Sequence, residues 1–266
     1  MSIFSENIRS NARVFMALLH RDLKMFKQKF RSVFIDSICV LLVEIVLFNN
    51  LLPHFGMPRE IIAPAYLGSV VGFLFFLGYS QATRLVFDIE YDRFIDYHLS
   101  LPLSIYWLFT EYVTFLIIES LTITLPLVTL GIILLGDNFR MVTPNFGLFI
   151  LMYLLMLIFF ALLFAWISFH YNADFFYNHL WPRRLSPFFN VSAIFFSWKG
   201  IYTLSPTISY LLLANPITYL AEGLRATLLN KDDYLSIYLC FGVMIIFTLP
   251  LFFLLARSIK KRLDPV

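Results

Sequence analysis

The chain has 266 residues, of which 60% are hydrophobic and only 14% are charged, and its formal net charge is +3. A soluble domain carries roughly 25% charged residues, because its core must be surrounded by a polar surface. The composition therefore excludes an ordinary soluble domain, and the small net charge gives no reason to expect nucleic-acid binding. We expect lipid to surround most of the chain, which predicts an all-α integral membrane protein.

Residues 6–32 are predicted to form an amphipathic helix at the membrane interface. Hydrophobic residues recur every three or four positions, and Arg and Lys supply the opposite side. Such a helix lies in the lipid headgroup plane, with its cations near anionic lipid. A helix that packs on a soluble partner would show the same pattern. The hydrophobic stripe consists of Ile8, Ala12, Phe15, Leu19, Leu23, Phe26 and Phe30.

Six apolar segments follow, each close to the roughly 20 residues that cross the hydrocarbon core of a bilayer. The first begins too late for a secretory signal peptide, so we expect it to be retained. The segment 206–230 is apolar but broken by Pro216, and it predicts short helices that dip into one leaflet. The chain 1–266 is expected to be one membrane domain. Its predicted spans are 33–52, 63–86, 105–135, 146–169, 188–204 and 235–256, followed by a tail over 257–266.

The distribution of Lys and Arg predicts the orientation of these spans. With six spans and the N-terminus inside, 15 of the 20 basic residues lie on the inner side. Cytoplasmic segments carry the excess of Lys and Arg in membrane proteins. Both termini and the charged segment 84–104 are therefore predicted to be cytoplasmic.

No pattern of a catalytic or metal site is visible in the sequence. Phosphate-binding loops, zinc-peptidase motifs and serine-hydrolase motifs are all missing, so the chain is not expected to be an enzyme. Cys39 and Cys240 both lie in apolar runs and the five histidines are scattered, so we expect no disulfide, metal ion or cofactor.

Four carboxylates fall within predicted spans, where ionisable residues are costly and often functional. Asp36 and Glu44 share a side of the first span, and Glu111 and Glu119 repeat that spacing on the third. One interpretation is a path for protons or cations. The other, which we favour, is that Asp36 and Glu111 are solvated near the interface, whereas Glu44 and Glu119 are buried and hydrogen-bonded to neighbouring helices.

The segment 84–104 is the longest charged interruption between two apolar runs inside the chain. Acidic residues recur every four positions, and aromatic residues form an adjacent face. This spacing favours a short helix along the membrane surface, with its aromatic face on the bundle and its acidic face in the cytoplasm. An ordinary solvated loop is the alternative. The acidic face is Asp88, Asp92 and Asp96, and the other is Phe87, Tyr91, Phe94 and His98.

Two motifs give the chain a resemblance to the type-two ATP-binding-cassette (ABC) permeases of bacteria. The stretch NPITYLAEGLRATLLNKDD, residues 215–233, is similar to the segment before the last span in that family. HLSLPLSIYW, residues 98–107, resembles the turn that leads into the third span. Pro64 at the start of the second span, the basic N-terminal helix and the basic tail fit as well, so the resemblance covers nearly the whole chain.

The resemblance implies an export permease in the bacterial inner membrane that forms a homodimer and pairs with two separate ATPase subunits in a 2:2 complex. ATP and Mg would then be bound by the ATPase. The coupling helix that contacts it corresponds to residues 88–99. The implied site residues are Asp88, Tyr91, Asp92, Phe94, Asp96 and His98 for coupling; Glu44, Phe195 and Trp198 for the translocation path; and Asn215, Pro216, Tyr219, Glu222 and Arg225 for an outer gate.

The substrate class follows less directly from the sequence. The predicted spans offer no polar lumen, which favours an amphipathic or lipid-like substrate such as a lipid, a lipid-linked glycan or a drug. A secondary transporter or ion channel that uses the intramembrane carboxylates is the alternative function, and an inverted repeat would favour it, but we find none in the sequence.

Overall fold

The computed structural model describes residues 2–56, 58–92 and 104–263. Within these ranges the regular secondary structure is helical throughout, which confirms the predicted all-α class. Four of the described helices are long and apolar enough to cross a membrane, and they are compatible with a membrane protein. These are α2 (Ile62–Phe87), α3 (Ile105–Leu135), α4 (Phe146–His170) and α9 (Ile237–Leu263).

The four helices correspond to the second, third, fourth and sixth predicted spans. Helix α3 has the predicted bounds and contains Pro126. Helix α9 continues to Leu263, so most of the segment that we expected to be a tail is helical. An apolar segment of this length is expected to be helical in lipid, because each of its backbone polar groups must then be paired within the segment.

The N-terminal region differs from its prediction. Helix α1 runs without interruption from Ser2 to Val46 and is extended by a π-helical turn, Leu47–Leu51. The expected change from an interfacial helix to a first span near residue 32 is not seen, and 33–52 is not among the four membrane-length helices. Residues 2–52 contain neither Gly nor Pro, so nothing in the sequence interrupts the helix.

Helix α1 lies alongside α3. The ring of Phe15 contacts that of Trp107 at 5.8 Å, and Phe26 contacts Phe115 at 6.4 Å between centroids. The apolar stripe of residues 15–30 therefore packs, at these positions, on another helix of the same chain. At 1.5 Å per residue the 45 residues of α1 extend about 68 Å, roughly twice the hydrocarbon thickness.

The predicted fifth span, 188–204, is wrong as a single helix. The chain here forms the short helix α5 (Ser186–Asn190), a non-helical segment over 191–197, and the short helix α6 (Trp198–Leu204). The segment is apolar because protein surrounds part of it: Ala193 and Ile194 are almost fully buried. Several of its backbone carbonyl groups accept hydrogen bonds from side chains of other parts of the chain, as described below, in place of the hydrogen bonds that a helix would form.

Two further short helices precede the last long helix, as the sequence predicts for 206–230. These are α7 (Pro206–Leu212) and α8 (Pro216–Leu228), and every residue of α8 is buried. Shorter turns complete the described chain at Leu52–His54, Arg59–Ile61, Asp88–Asp92, Gly136–Asn138, Ala173–Phe175, Phe176–Leu185 and Lys231–Asp233.

The helices define two ends of a bundle around α4, which contacts α2, α3, α8 and α9. At one end, Arg262 of α9 donates to the carbonyl oxygens of Ser168 and Phe169 near the end of α4, at 3.1 and 3.2 Å. At the other end, the backbone N–H of Asn145 donates to Thr227 O of α8 at 2.7 Å. Helices α4 and α9 are therefore parallel, and the chain between them returns across the bundle. We call these the Arg262 end and the Asn145 end.

Helix α2 approaches the non-helical segment 191–197 so closely that only glycine fits at Gly68. A Cβ atom there would lie 1.6 Å from the backbone oxygen of Ile194. Since the obstacle is backbone, it cannot be relieved by the rotation of a side chain.

We therefore predict that Gly68→Ala destabilises the protein by about 1–3 kcal/mol, the usual cost of overpacking a core. The measurement is the thermal unfolding midpoint of the purified protein in detergent. The matched control is Gly242→Ala in α9, where a Cβ atom has no neighbour within 4 Å and the higher helix propensity of Ala favours folding. Equal midpoints for the two variants would contradict this packing.

Candidate functional site

The guanidinium of Arg225 is completely buried at the Asn145 end and holds the non-helical segment 191–197 in place. Its Nη1 donates to the carbonyl oxygens of Ala193 and Phe196 at 2.6 and 3.0 Å, and Nη2 donates to that of Ile194. Its Nε donates to Pro64 O in the first turn of α2 at 2.9 Å. One side chain thus satisfies carbonyl groups from two separate parts of the chain.

Glu222 is the counter-ion of Arg225 and lies one helical turn earlier on α8. The two side chains are 3.0 Å apart and both are fully buried. Glu222 also accepts hydrogen bonds from the backbone N–H groups of Trp198 and Leu235, at 3.0 and 3.2 Å. Burial lowers the pKa of Arg225 from its ordinary value, and the nearby Glu222 carboxylate acts in the opposite direction.

The start of α8 is fixed by Asn215 and Pro216. Asn215 accepts from the backbone N–H of Ile217 at 2.9 Å and caps the helix, while Pro216 occupies its first turn. The amide nitrogen of Asn215 donates to the carbonyl oxygens of Phe188 and Val191, near the end of α5. We call Arg225, Glu222 and Asn215, together with the segment 191–197, the Arg225 cluster.

The five residues assigned to an outer gate by resemblance therefore share one short helix and its cap. Four of them are buried to 93% or more: Asn215, Tyr219, Glu222 and Arg225. Tyr219 donates its hydroxyl to Leu213 O at 2.9 Å. In this conformation the polar atoms of the cluster are used to connect α2, the segment 191–197 and α8, and they do not face an open passage.

The three residues assigned to a translocation path are not brought together within one chain. Glu44 accepts from Ser69 of α2 at 2.8 Å and lines a small cleft with Tyr66 and Thr124. Trp198 donates its indole N–H to Ser209 O at 2.8 Å, and Phe195 is 46% exposed. Neither residue lines the cleft at Glu44.

The predicted coupling segment is described only up to Asp92. Asp88–Asp92 continues α2 as a π-helical turn, so a separate surface helix does not begin at residue 88. The expectation that the aromatic face packs on the bundle is wrong for two of its members: Phe87 and Tyr91 stack on each other at 5.1 Å and are 48% and 60% exposed. Phe94, Asp96 and His98 lie outside the described residues.

Two charged contacts near the Arg262 end were not predicted from the sequence. Glu119 of α3 is buried, and it accepts from Arg84 and Gln81 of α2, each at 2.9 Å. Arg262 pairs with Glu90 just beyond α2. The burial and bonding expected of Glu119 are confirmed, but its partners are 35 and 38 residues away and no local pattern connects them.

For Glu111 the prediction from the sequence is wrong. We expected it to be solvated, but it is only 3% exposed. Its Oε1 is the one buried side-chain polar atom in the described structure that lacks a hydrogen-bond partner. It lines a cavity of about 290 Å³ between α1, α2 and α3, which we call the Glu111 cavity.

Comparison with models of known protein families and with curated proteins finds no match for this chain. Within the described residues, no group of three or more His, Cys, Asp or Glu side chains is arranged to hold a metal ion. The candidate functional features of the chain are the Arg225 cluster, the exposed residues Phe87, Tyr91 and Asp92, and the Glu111 cavity.

Arg225→Met should destabilise the protein by about 3–5 kcal/mol, because it leaves Glu222 as a buried charge without its counter-ion. Arg225→Lys should fail to restore stability, since an ammonium group cannot reach the spread of carbonyl oxygens that the guanidinium binds. Arg140→Met is the matched control, because Arg140 lies near the same end and is exposed. The checks are the yield of monodisperse protein and the thermal midpoint; a stable Arg225→Met would remove the structural role that we give this cluster.

Proposed function

We propose that this chain is the transmembrane subunit of an ABC exporter that moves an amphipathic or lipid-like substrate out across the bacterial inner membrane. Two copies of the chain would pair with two separate ATPase subunits, which bind and hydrolyse ATP with Mg. The chain itself would be a permease without an ATPase site, multi-pass and with both termini in the cytoplasm.

The observation that carries the proposal is the short buried helix α8 before the last long helix. The motif that resembles type-two permeases, Asn215 to Asp233, forms one compact unit in which the polar positions have defined partners. Asn215 caps the helix, Arg225 connects it to the segment 191–197, and Glu222 connects it to Trp198, the first residue of α6. The residues of this motif therefore form one structural element of the chain, which supports the proposal.

The exposed end of α2 supports the coupling role. Phe87, Tyr91 and Asp92 border a shallow cleft with Tyr177, and the two aromatic rings are substantially exposed. Aromatic residues exposed beside a carboxylate suit contact with a protein partner, since Tyr and Phe are enriched in interfaces. Glu90 and Arg262 join this end of α2 to α9, so a force applied here would reach the last long helix.

Apolar surface on α1 and α9 supports both a lipid environment and a second protomer. Helix α1 exposes Val43, Ile35 and Leu42, each by about half or more of its area, and α9 exposes Phe253 and Ile246. Monomeric soluble proteins rarely expose contiguous apolar surface of this kind. In the proposal, lipid covers α9 and the paired protomer covers part of α1.

The alternative, a secondary transporter or channel that uses intramembrane carboxylates, has less support. Glu119 is held by Arg84 and Gln81, and Glu44 is bonded to Ser69, so neither offers an unpaired carboxylate. Asp36 is exposed on α1. Only Glu111 combines burial with an unpartnered oxygen among the described residues, and one such group does not make a path.

The test of the proposal is purification of the tagged chain from its native membrane in mild detergent. We expect an ATPase with a phosphate-binding loop to co-purify in a 2:2 complex, measured by native mass spectrometry, and to hydrolyse ATP. Purification of the chain alone, together with ion- or proton-driven uptake in vesicles that contain no ATPase, would instead establish the alternative.

The double variant Asp92→Arg with Asp96→Arg should release the ATPase or uncouple ATP hydrolysis from transport, because it reverses the charge of the proposed contact. The readouts are the ATPase retained on the affinity resin and the ratio of ATP hydrolysed to substrate moved. Asp137→Arg with Asp232→Arg is the control, since both residues are exposed at the opposite end. Normal export and full ATPase retention in the first variant would show that 88–99 is not the coupling segment.

A further inference from the structure

A cleft of about 510 Å³ lies between the C-terminal ends of α4 and α9, and its lining shares no residue with the Glu111 cavity or the Arg225 cluster. Ligand pockets in proteins range from roughly 300 to 1,000 Å³. Side chains from both helices line the cleft, which we call the Arg257 cleft. They include Trp166 and His170 of α4 and Leu254, Arg257, Ser258 and Lys261 of α9.

The lining of the Arg257 cleft is basic. Arg257, Lys261 and Arg262 all contribute to it, and none of the described residues that line it is acidic. The cleft that contains Arg59 and Arg140 at the Asn145 end differs, because acidic residues lie among its basic ones. Side chains of one charge sign around a cleft raise the local concentration of ions of the opposite sign. The Arg257 cleft therefore favours an anion.

Arg262 is already bonded to groups of the protein. Its Nη1 donates to the carbonyl oxygens of Ser168, Phe169 and Tyr171. Its Nη2 pairs with Glu90. The carbonyl groups at the end of α4 carry a partial negative charge that would repel an anion. Because Arg262 bonds to them, the end of α4 does not oppose an anion in the cleft.

Arg257 and Lys261 are the cations that remain for a ligand. Both are exposed, and within the described part of the chain neither forms a hydrogen bond or an ion pair. They are four residues apart and therefore lie on one face of α9, where like charges at this spacing repel each other. An anion bound between them would remove this repulsion. Ser258, which lines the same cleft, adds a hydroxyl donor beside Arg257.

The position of the cleft matches the lipid headgroups. Helices α4 and α9 are both long enough to cross a membrane and are parallel, so their C-terminal ends would reach the same membrane surface. The rings of Trp166 and His170 lie 5.0 Å apart at this end of α4, and Trp is enriched where membrane meets water. Leu254 and Phe247 are two turns apart on one face of α9 and are 42% and 38% exposed. An apolar surface therefore leads from the cleft towards the middle of α9.

We propose that the Arg257 cleft binds the headgroup of an anionic phospholipid. Arg257 and Lys261 donate to the phosphate oxygens, and an acyl chain lies along Leu254 and Phe247. The planar guanidinium of Arg257 matches the geometry of a phosphate, and Lys261 adds a compact charge. Basic pockets between membrane helices on the cytoplasmic side bind such headgroups. The site goes beyond the proposed exporter, because its lining contains no residue assigned to coupling, path or gate.

The experiment titrates the full chain, purified in dodecyl maltoside, with lipid probes and counts bound probe by native mass spectrometry. The probe is dioctanoyl phosphatidylglycerol. Dioctanoyl phosphatidylcholine has the same chains and a phosphate but no net charge, and glycerophosphoglycerol has the anionic headgroup but no acyl chains. Binding to the chain is measured whether or not an ATPase co-purifies, so failure of this proposal is distinguishable from failure of the exporter proposal.

We expect saturable 1:1 binding of phosphatidylglycerol, with phosphatidylcholine weaker by about tenfold or more. Arg257→Gln with Lys261→Gln should weaken phosphatidylglycerol by about tenfold or more, and it should fold because both side chains are exposed. Lys24→Gln with Lys27→Gln is the matched control, since it removes two exposed cations beside the Glu111 cavity, at the same end but outside the cleft, and should leave binding unchanged. Ser258→Trp keeps both cations but fills the cleft, and it should also weaken binding.

Three results would each overturn the proposal. Equal affinity for phosphatidylglycerol and phosphatidylcholine would show that the site does not select an anion. Undiminished binding in the Arg257 and Lys261 variant, or an equal loss in the Lys24 and Lys27 control, would show that the cleft is not the site. Binding of glycerophosphoglycerol as tight as that of phosphatidylglycerol would show that a soluble phosphate ester is recognised and a lipid is not required.

Discussion

The buried guanidinium of Arg225 is the interaction on which the architecture of the Asn145 end depends. The segment 191–197 is not helical, and three of its carbonyl groups, those of Ala193, Ile194 and Phe196, accept from one side chain that reaches from α8. A planar group with several fixed donors can do this, whereas a point charge cannot. Glu222 then neutralises the guanidinium and bonds to the backbone on either side. The short helices between α4 and α9 are thereby held as one unit, although none of them is long enough to be stable alone.

The opposite end of the bundle is organised by charge pairs between long helices. Arg84 and Gln81 of α2 meet Glu119 of α3, and Arg262 of α9 meets both Glu90 and the last carbonyl groups of α4. A cation at the C-terminus of a helix also interacts favourably with the helix dipole. The exposed aromatic residues Phe87 and Tyr91 and the Glu111 cavity lie close to these pairs.

The two ends have different consequences for the proposed exporter. In the conformation described, the residues assigned to an outer gate are fully bonded, so opening there would require the Arg225 cluster to exchange its partners for others of similar strength. A ligand or an ATPase shifts such an equilibrium only through a difference in its contacts with the two states. In the proposed exporter, the ion pair of Glu90 with Arg262, which joins the exposed end of α2 to α9, is the contact that would carry that difference.

The sequence alone determined the helical class, the four long apolar helices and the short helices of 206–230, because hydrophobic length and proline position are local properties. It did not determine that 188–204 is broken, since an apolar segment surrounded by protein has the same composition as one surrounded by lipid. It also could not show that α1 lies along α3, or that Glu111 is buried beside Asp22 while Glu119 is paired with Arg84. Such features depend on contacts between residues that are far apart in the sequence. Glu222 accepts from the backbone N–H of Trp198, 24 residues away, and Arg225 donates to the carbonyl oxygen of Pro64, 161 residues away. Only the tertiary structure brings such groups together, because a buried charge is tolerated where the fold supplies its partners.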